Sequence, residues 1–273
     1  MNMPNKDISK VYLADIRKLA FFQEQATPSY WDEHWQIDDL GNYIRKVRSD
    51  GTFIPLVKKY LPLGSTILEG GCGRGQLVHA LQYQGYKAIG IDSALKTVNE
   101  VKRIAPNLDI RYGDVRSLDI ESNSLNGYIS VGVIEHFWEG YHGVLSEMYR
   151  TLKLGGFLFV SFPSLSPLRK LKINLHLFPF STSALAGQKA DFFYQYALDF
   201  KTVSKEISNL GFKLLEIKHS NGIKGFKDEV IFFRHYLQRV YDGKEYKQLR
   251  PWLERALRSF AYHSTLLVMK KNG

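Results

Sequence analysis

Cysteine is almost absent from this 273-residue chain. Cys72 stands alone, so no intrachain disulfide can form, and a reducing compartment is the expected setting. Long hydrophobic runs are missing too. The longest, residues 155–163, falls far short of the roughly 20 apolar residues that span a bilayer. Residues 1–10 have no apolar core of the kind a secretory signal needs. Low-complexity linkers and solenoid-type repeats are also lacking. These absences lead to the expectation of a soluble, cytoplasmic protein.

What is present is enough for a large core: 44% of the chain is hydrophobic and 14% aromatic, which argues against disorder. The net charge is +10, and it is unevenly placed. Residues 1–162 hold 18 basic and 18 acidic side chains, residues 163–273 hold 19 and 9. The whole excess therefore lies in the last part of the chain. Either an anionic partner or substrate meets that part, or it is a solvated surface that aids solubility.

Residues 1–60 read as a polar-amphipathic, helical N-terminal segment, with the aromatic cluster Tyr30-Trp31-Asp32-Glu33-His34-Trp35 as helix packing. From residue 66 short apolar strands alternate with helices. Strands are expected at 66–69, 87–92, 108–112, 127–131 and 157–162. The helices between them end at Gly85, before Pro106 and at Gly155-Gly156. This alternation implies parallel strands with right-handed crossovers and helices on both faces, an α/β doubly wound sheet. Residues 163–200 break the rhythm and read as an irregular lid. A helix at 202–210 and a strand at 212–219 follow. Two basic helices within a 223–262 insertion come next, then a last strand at 263–270.

Between the first strand and its helix stands Glu69-Gly70-Gly71-Cys72-Gly73-Arg74-Gly75. Glycines let the backbone turn sharply and approach a ligand, and the helix that follows offers free N–H groups. A dinucleotide fingerprint requires G-x-G-x-x-G. Here the run is G-x-G-x-G followed by Gln76, and an acidic residue precedes it.

Ile67-Leu68-Glu69-Gly70-Gly71-Cys72-Gly73-Arg74-Gly75 resembles the first motif of class I S-adenosylmethionine-dependent methyltransferases. Ile91-Asp92, Gly113-Asp114-Val115, Ser130-Val131-Gly132-Val133-Ile134-Glu135-His136-Phe137, Leu152-Lys153-Leu154-Gly155-Gly156 and Gly211-Phe212 resemble the later motifs in order. The resemblance covers about residues 60–220. It implies a Rossmann-like sheet of seven strands with the last antiparallel, extending over 61–273 behind an N-terminal cap at 1–60, and S-adenosylmethionine as cofactor.

It also implies roles. Asp92 would accept from the two ribose hydroxyls, unless it only caps the next helix. Asp114 would accept from the adenine amino group and Val115 N–H would contact the ring, unless Asp114 is a turn residue. Gly71 and Gly73 would approach the methionine moiety, with Val131 bordering the pocket. Glu69 would hold the amino group, or bond the glycine loop, or both. His136 is the candidate general base and Glu135 its orienting partner, with pocket wall as the alternative for each. Cys72 reads as a packing residue and Arg74 as solvent-facing. Relatives that bind a divalent metal carry an acid three residues before the Glu-His pair. Gly132 stands there in this chain, so no required metal is expected.

The Asp/Asn-Pro-Pro-aromatic tail of enzymes that methylate nucleobases is absent after the fourth strand, which favours a small-molecule or lipid-like acceptor over nucleic acid. Lys224, Lys227, Arg234, Arg239, Lys244, Lys247, Arg250, Arg255 and Arg258 in or around the basic insertion suit an acceptor with carboxylate or phosphate groups, or peripheral docking on an anionic membrane. The competing readings are a nicotinamide-dependent oxidoreductase and a non-catalytic module that binds RNA or another polyanion.

Overall fold

A computed structural model describes residues 8–35, 40–46, 51–187, 190–243, 246 and 248–272. The chain opens with strands β1 (Ser9–Leu13) and β2 (Lys18–Phe22), followed by helices α1 (Pro28–His34), α2 (Leu40–Lys46) and α3 (Phe53–Tyr60). The alternating part runs β3 (Thr66–Gly70), α4 (Gln76–Tyr83), β4 (Lys87–Asp92), α5 (Leu95–Ile104), β5 (Ile110–Tyr112), β6 (Leu125–Val131), α6 (His142–Thr151) and β7 (Leu152–Pro163). Then come α7 (Pro167–Asn174), β8 (Phe180–Ser181), α8 (Ser183–Gly187) and β9 (Phe193–Ala197). The chain closes with α9 (Phe200–Asn209), β10 (Phe212–Ser220), α10 (Gly222–Glu229), α11 (Arg234–Tyr241), α12 (Arg250–Ala261) and β11 (Ser264–Lys271).

Two compact units share this chain. One comprises 1–25, 161–205 and 217–266; the other comprises 26–160, 206–216 and 267–273. The second is built on a seven-stranded sheet in the order β10-β11-β7-β6-β3-β4-β5, mostly parallel with an antiparallel end. Strand β3 pairs in parallel with β4 on one side and with β6 on the other. The strand order reverses there, and in open α/β sheets ligands bind outside the carboxyl ends of the strands at such a point. Ile67, Leu68, Leu158, Phe159 and Val160 are fully buried, as the near-continuous apolar runs of β3 and β7 require in a sheet covered on both faces.

The first unit carries a separate four-stranded sheet in the order β8-β1-β2-β9. Here the structure corrects the helical reading of residues 1–60. Residues 9–22 form an antiparallel hairpin with Ser9 opposite Phe22 and Leu13 opposite Lys18. Leu19 and Phe21 point into a core with Leu165, Ile173, Phe178 and Ala197, so partners some 150 residues away decide the strand conformation. Residues 163–200 are likewise more regular than the sequence rhythm suggests. Ser166 caps α7 by accepting from Arg169 N–H, and β9 pairs with β2. One further helix, α10, precedes the two basic ones. Helix α6 ends at Thr151, before the glycine pair, and Gly155 (φ 79°) lies inside β7.

Candidate cofactor and methyl-transfer site

The site is built at the carboxyl ends of β3, β4 and β6. Strand β3 ends at Gly70 and the chain turns through residues 71–75 into α4. Gly71 has φ 74°, and a Cβ there would lie 2.4 Å from Val133 Cγ2. Gly73 has φ 51°, and a Cβ there would lie 3.2 Å from the Trp35 ring. Only glycine combines that conformation with such close passage. The turn is tied to β4 from both ends: Gly71 N–H and Cys72 N–H donate to Ile91 carbonyl at 2.8 and 3.1 Å.

Asp92, the last residue of β4, holds the turn from below. Its Oδ2 accepts from Gly73 N–H at 2.7 Å and its Oδ1 accepts from Ala94 N–H at 2.8 Å. The side chain is buried, and burial raises its carboxyl above the usual range against the opposing pull of these two bonds. That second bond closes an Asx turn ahead of α5, whose N-cap is Ala94, and each oxygen retains accepting capacity for a further donor. Glu69 is buried in β3, opposite Gly90 of β4 and Ile129 of β6. Cys72 is buried, and desolvation pushes its thiol well above the ordinary value, which fits a packing residue and not a nucleophile.

Asp114 and Val115 follow β5. Val115 is buried. Asp114 is not: its carboxylate takes Arg116 Nη2 at 2.6 Å and Arg116 N–H at 2.8 Å, and the Arg116 hydrogen bond holds it below the usual range. It is thus a turn aspartate as well as a ligand candidate. Val131 ends β6 and is exposed.

Glu135 and His136 lie in the single 3₁₀ turn Ile134–His136 after β6. Glu135 is 2% exposed, and burial pushes its carboxyl up to about 8. Its Oε1 stands 3.9 Å from His136 Nε2. Its Oε2, and the Oγ of buried Ser130 at the end of β6, have no hydrogen-bond partner among the described residues. Buried polar atoms in that condition are uncommon and point to a polar ligand.

Sequence reasoning took the Trp31–Trp35 cluster as packing, and the structure gives it a second position. Trp35 covers Gly73, and Trp31 stacks on Trp35 at 5.5 Å and meets the His136 ring edge-on at 5.1 Å. Helix α1 is pinned there by Asp32, whose Oδ1 accepts from Thr97 N–H at 2.8 Å and Thr97 Oγ1–H at 3.0 Å. Arg74, expected in solvent, is half-buried with its guanidinium 5.0 Å from the Trp35 ring centroid. The i, i+4 spacing of Trp31 and Trp35 was the available signal. Of the predicted residues, Glu69, Gly71, Gly73 and Asp92 are brought together directly. Glu135 and His136 join them through Val133 and Trp31. Asp114 and Val115 stand after β5, beside β4.

Residues 67–156 match the family model of a methyltransferase domain. A curated protein of Mycolicibacterium smegmatis, named a probable S-adenosylmethionine-dependent methyltransferase, is 29% identical over 164 residues, 59% of this chain and 62% of its own length. A Mycobacterium tuberculosis protein named in the same way is 30% identical over 122 residues, 44% of this chain and 43% of its own.

Residues 67–156 are thus similar to a methyltransferase domain, and the chain is similar to proteins named probable S-adenosylmethionine-dependent methyltransferases.

The match spans about three fifths or less of these curated relatives' length. The fold extends further than the sequence match. An S-adenosylmethionine-dependent methyltransferase from Methanosarcina mazei superposes with a TM-score of 0.54 at 14% identity, covering 80% of this chain and 97% of its own. Geranyl diphosphate C-methyltransferase from Streptomyces coelicolor, solved with Mg²⁺, geranyl diphosphate and S-adenosylhomocysteine, gives 0.54 at 14% identity, covering 90% and 99%.

The residues present fit S-adenosylmethionine. Buried Glu69 and Asp92 suit an ammonium group and hydroxyls, the glycine turn exposes backbone rather than side chains, and Ser130 Oγ and Glu135 Oε2 lack partners within the described protein. No helix among the described residues is long and apolar enough to cross a membrane.

Proposed function

We propose that this chain transfers the methyl group of S-adenosylmethionine to an oxygen or nitrogen of a small molecule that carries anionic groups. The observation behind this reading is the 71–75 glycine turn, held by Asp92 at the switch point of the sheet and faced by Trp35. When bound, the cofactor supplies a methyl group already activated on a sulfonium, so alignment and proton removal are the tasks left to the protein.

Asp92 would accept from the ribose hydroxyls with the capacity left beyond Gly73 and Ala94. Glu69 would hold the amino group, with Gly71 and Gly73 offering a close backbone approach and Val131 bordering the site. Asp114 would accept from the adenine amino group while keeping Arg116, with Val115 N–H on the ring. Trp31 and Trp35 would exclude water from one side. His136 would take the proton an acceptor hydroxyl or amine loses. Glu135 would position that ring and, being protonated at neutral pH, would donate to a ligand oxygen. The anionic character of the acceptor rests on the charge excess of residues 163–273 and on the exposed Arg234, Arg239, Arg255 and Arg258.

The test is label transfer from methyl-tritiated S-adenosylmethionine to a library of small carboxylates and phosphate esters. Label in a small product, lost in His136→Ala but with S-adenosylhomocysteine affinity retained, supports the reading. Label found only in RNA or protein overturns the small-molecule assignment.

A further inference from the structure

The unit that contains β1, α7 and α10 holds a second concentration of charge, one that methyl transfer does not use. Its centre is a pair of adjacent carboxylates at the end of α10. Glu229 has a fully buried side chain; its Oε1 accepts from Arg169 Nε at 2.9 Å and Lys10 Nζ at 2.8 Å, and its Oε2 accepts from Lys172 Nζ at 3.0 Å. Asp228 accepts from Lys224 Nζ at 2.7 Å on Oδ2 and from Lys227 Nζ at 2.8 Å on Oδ1. Among the described residues five cations thus surround two anions, a surplus of three positive charges. Burial opposes such a surplus unless an anion neutralises it. Lys10, Arg169, Lys172 and Lys227 are 17%, 1%, 20% and 11% exposed at their side chains, and Lys224, at 33%, forms the open edge.

The surplus has a definite location. Arg169 Nη2 and Lys224 Nζ both approach His263 Nδ1 at 3.4 Å. Burial, followed by the Lys224 and Arg169 charges, holds His263 well below its ordinary value, so the ring is neutral. Two cationic donors therefore share one neutral nitrogen at long distance. Asp228 Oδ2 stands 3.8 Å from that nitrogen, and a further anionic oxygen reaching the same two donors beside the ring would be bonded far more strongly than the ring is. Burial, then the surrounding cations, lower Lys10, and burial leads the lowering of Lys224. On Asp228 and Glu229 desolvation is again the largest single influence, but the surrounding lysines and Arg169 together outweigh it, and Glu229 falls to about 2. The lowered carboxylates report the surrounding cations, while burial leads the lowering of Lys10, Lys224 and His263.

We propose that Arg169, Lys224 and Lys10, with Lys172 and Lys227 behind them, form a binding site for a phosphate-class oxyanion, entered at the Lys224 edge beside His263. A phosphate dianion or a diphosphate matches a surplus of three charges better than a single carboxylate does. Arg169 is held for the task. Its Nε is fixed by Glu229 and its Nη1 donates to Ser164 carbonyl at 2.8 Å, which leaves the Nη2 edge directed at His263. Lys10 and Arg169 also flank the Phe21 ring, each 5.4 Å from its centroid, so an apolar wall limits competition from water.

The experiment is calorimetric titration of the whole protein with inorganic pyrophosphate at fixed ionic strength, with acetate as the control anion, repeated on Lys224→Gln and Lys227→Gln. Lys224 lies at the open edge and Lys227 behind it, and circular dichroism with thermal melting checks that each variant is folded. The expected result is saturable pyrophosphate binding, a rise in Tm, no acetate binding, and affinity at least about tenfold weaker in folded Lys224→Gln. Sedimentation with phosphatidylglycerol vesicles separates the sources. Loss on vesicles as well in Lys224→Gln assigns a lipid headgroup, and loss with pyrophosphate alone assigns a soluble phosphate compound. No pyrophosphate binding by the folded wild type, or binding unchanged in both variants, overturns the site. None of these readouts requires S-adenosylmethionine, so failure here is distinct from failure of the methyl-transfer reading.

Discussion

Gly73 and Asp92, 19 residues apart, are joined by a 2.7 Å hydrogen bond from the glycine N–H to the carboxylate Oδ2. Through that bond the end of the second parallel strand sets the shape of the turn after the first. The same carboxylate is the candidate ribose acceptor, so turn geometry and cofactor binding depend on one side chain. Asp92→Ala removes both acceptors and strands Gly73 N–H and Ala94 N–H. Calorimetry should show S-adenosylhomocysteine binding weakened by about 2–4 kcal/mol, roughly 30- to 1,000-fold, with a loss of about 1–3 kcal/mol in stability. Asp92→Asn, which keeps one acceptor oxygen, should lie between.

Gly71 and Gly64 separate close approach from backbone strain. Both have positive φ, 74° and 78°, but a Cβ would meet Val133 at 2.4 Å at the first and nothing within 4 Å at the second. Gly64→Ala should cost only the strain, about 1 kcal/mol. Gly71→Ala must also displace Val133 and should cost about 2–4 kcal/mol and abolish cofactor binding. Denaturant melts of both variants check the ordering.

Glu135 makes stability depend on pH with a predictable sign. Its folded value is raised to about 8, while an unfolded Glu titrates near 4.3. Between these values the folded state holds a proton that the unfolded state has lost. The associated stability is complete below the unfolded value and declines as pH rises through about 8. Glu135→Gln cannot ionise and should lose that slope. It should melt higher than wild type at pH 8.5–9, with the difference shrinking toward pH 5, in a series of thermal melts.

Asp114 and Arg116 are 43% and 58% exposed at their side chains, so their ion pair contributes little to stability. Asp114→Ala should leave Tm nearly unchanged and weaken S-adenosylhomocysteine by roughly tenfold, the loss of one charged acceptor. An unchanged affinity would restrict Asp114 to its turn and remove it from the adenine site.

The parts of this protein legible in the sequence are those fixed by neighbouring residues. The 71–75 turn, Asp92 at the end of its strand and the burial of Cys72 follow from short spacing and local conformational demands. The mostly parallel, helix-covered sheet follows from the alternation of strands and helices. What local reading missed depends on distant partners. Residues 18–22 become a strand because β9 pairs with them and Leu165 and Phe178 pack on them. Trp31 and Trp35 reach the glycine turn only because Asp32 is bonded to Thr97, 65 residues away. The Glu229 network draws on Lys10, Arg169 and Lys172, with His263 close by, spread across 254 positions of the chain. In sequence its members look like ordinary surface charges, and Lys224 and Lys227 read as part of an exposed basic face. The structure instead packs them against Asp228.

The measurement that tests the central claim most directly is titration of the purified protein, wild type and Asp92→Ala, with S-adenosylmethionine, S-adenosylhomocysteine and NAD. The structure predicts saturable binding of both sulfur compounds to wild type, weakened or lost in Asp92→Ala, and no heat with NAD. A folded wild-type protein that binds neither sulfur compound would contradict the methyltransferase reading. One that binds NAD through Asp92 would replace it with the oxidoreductase.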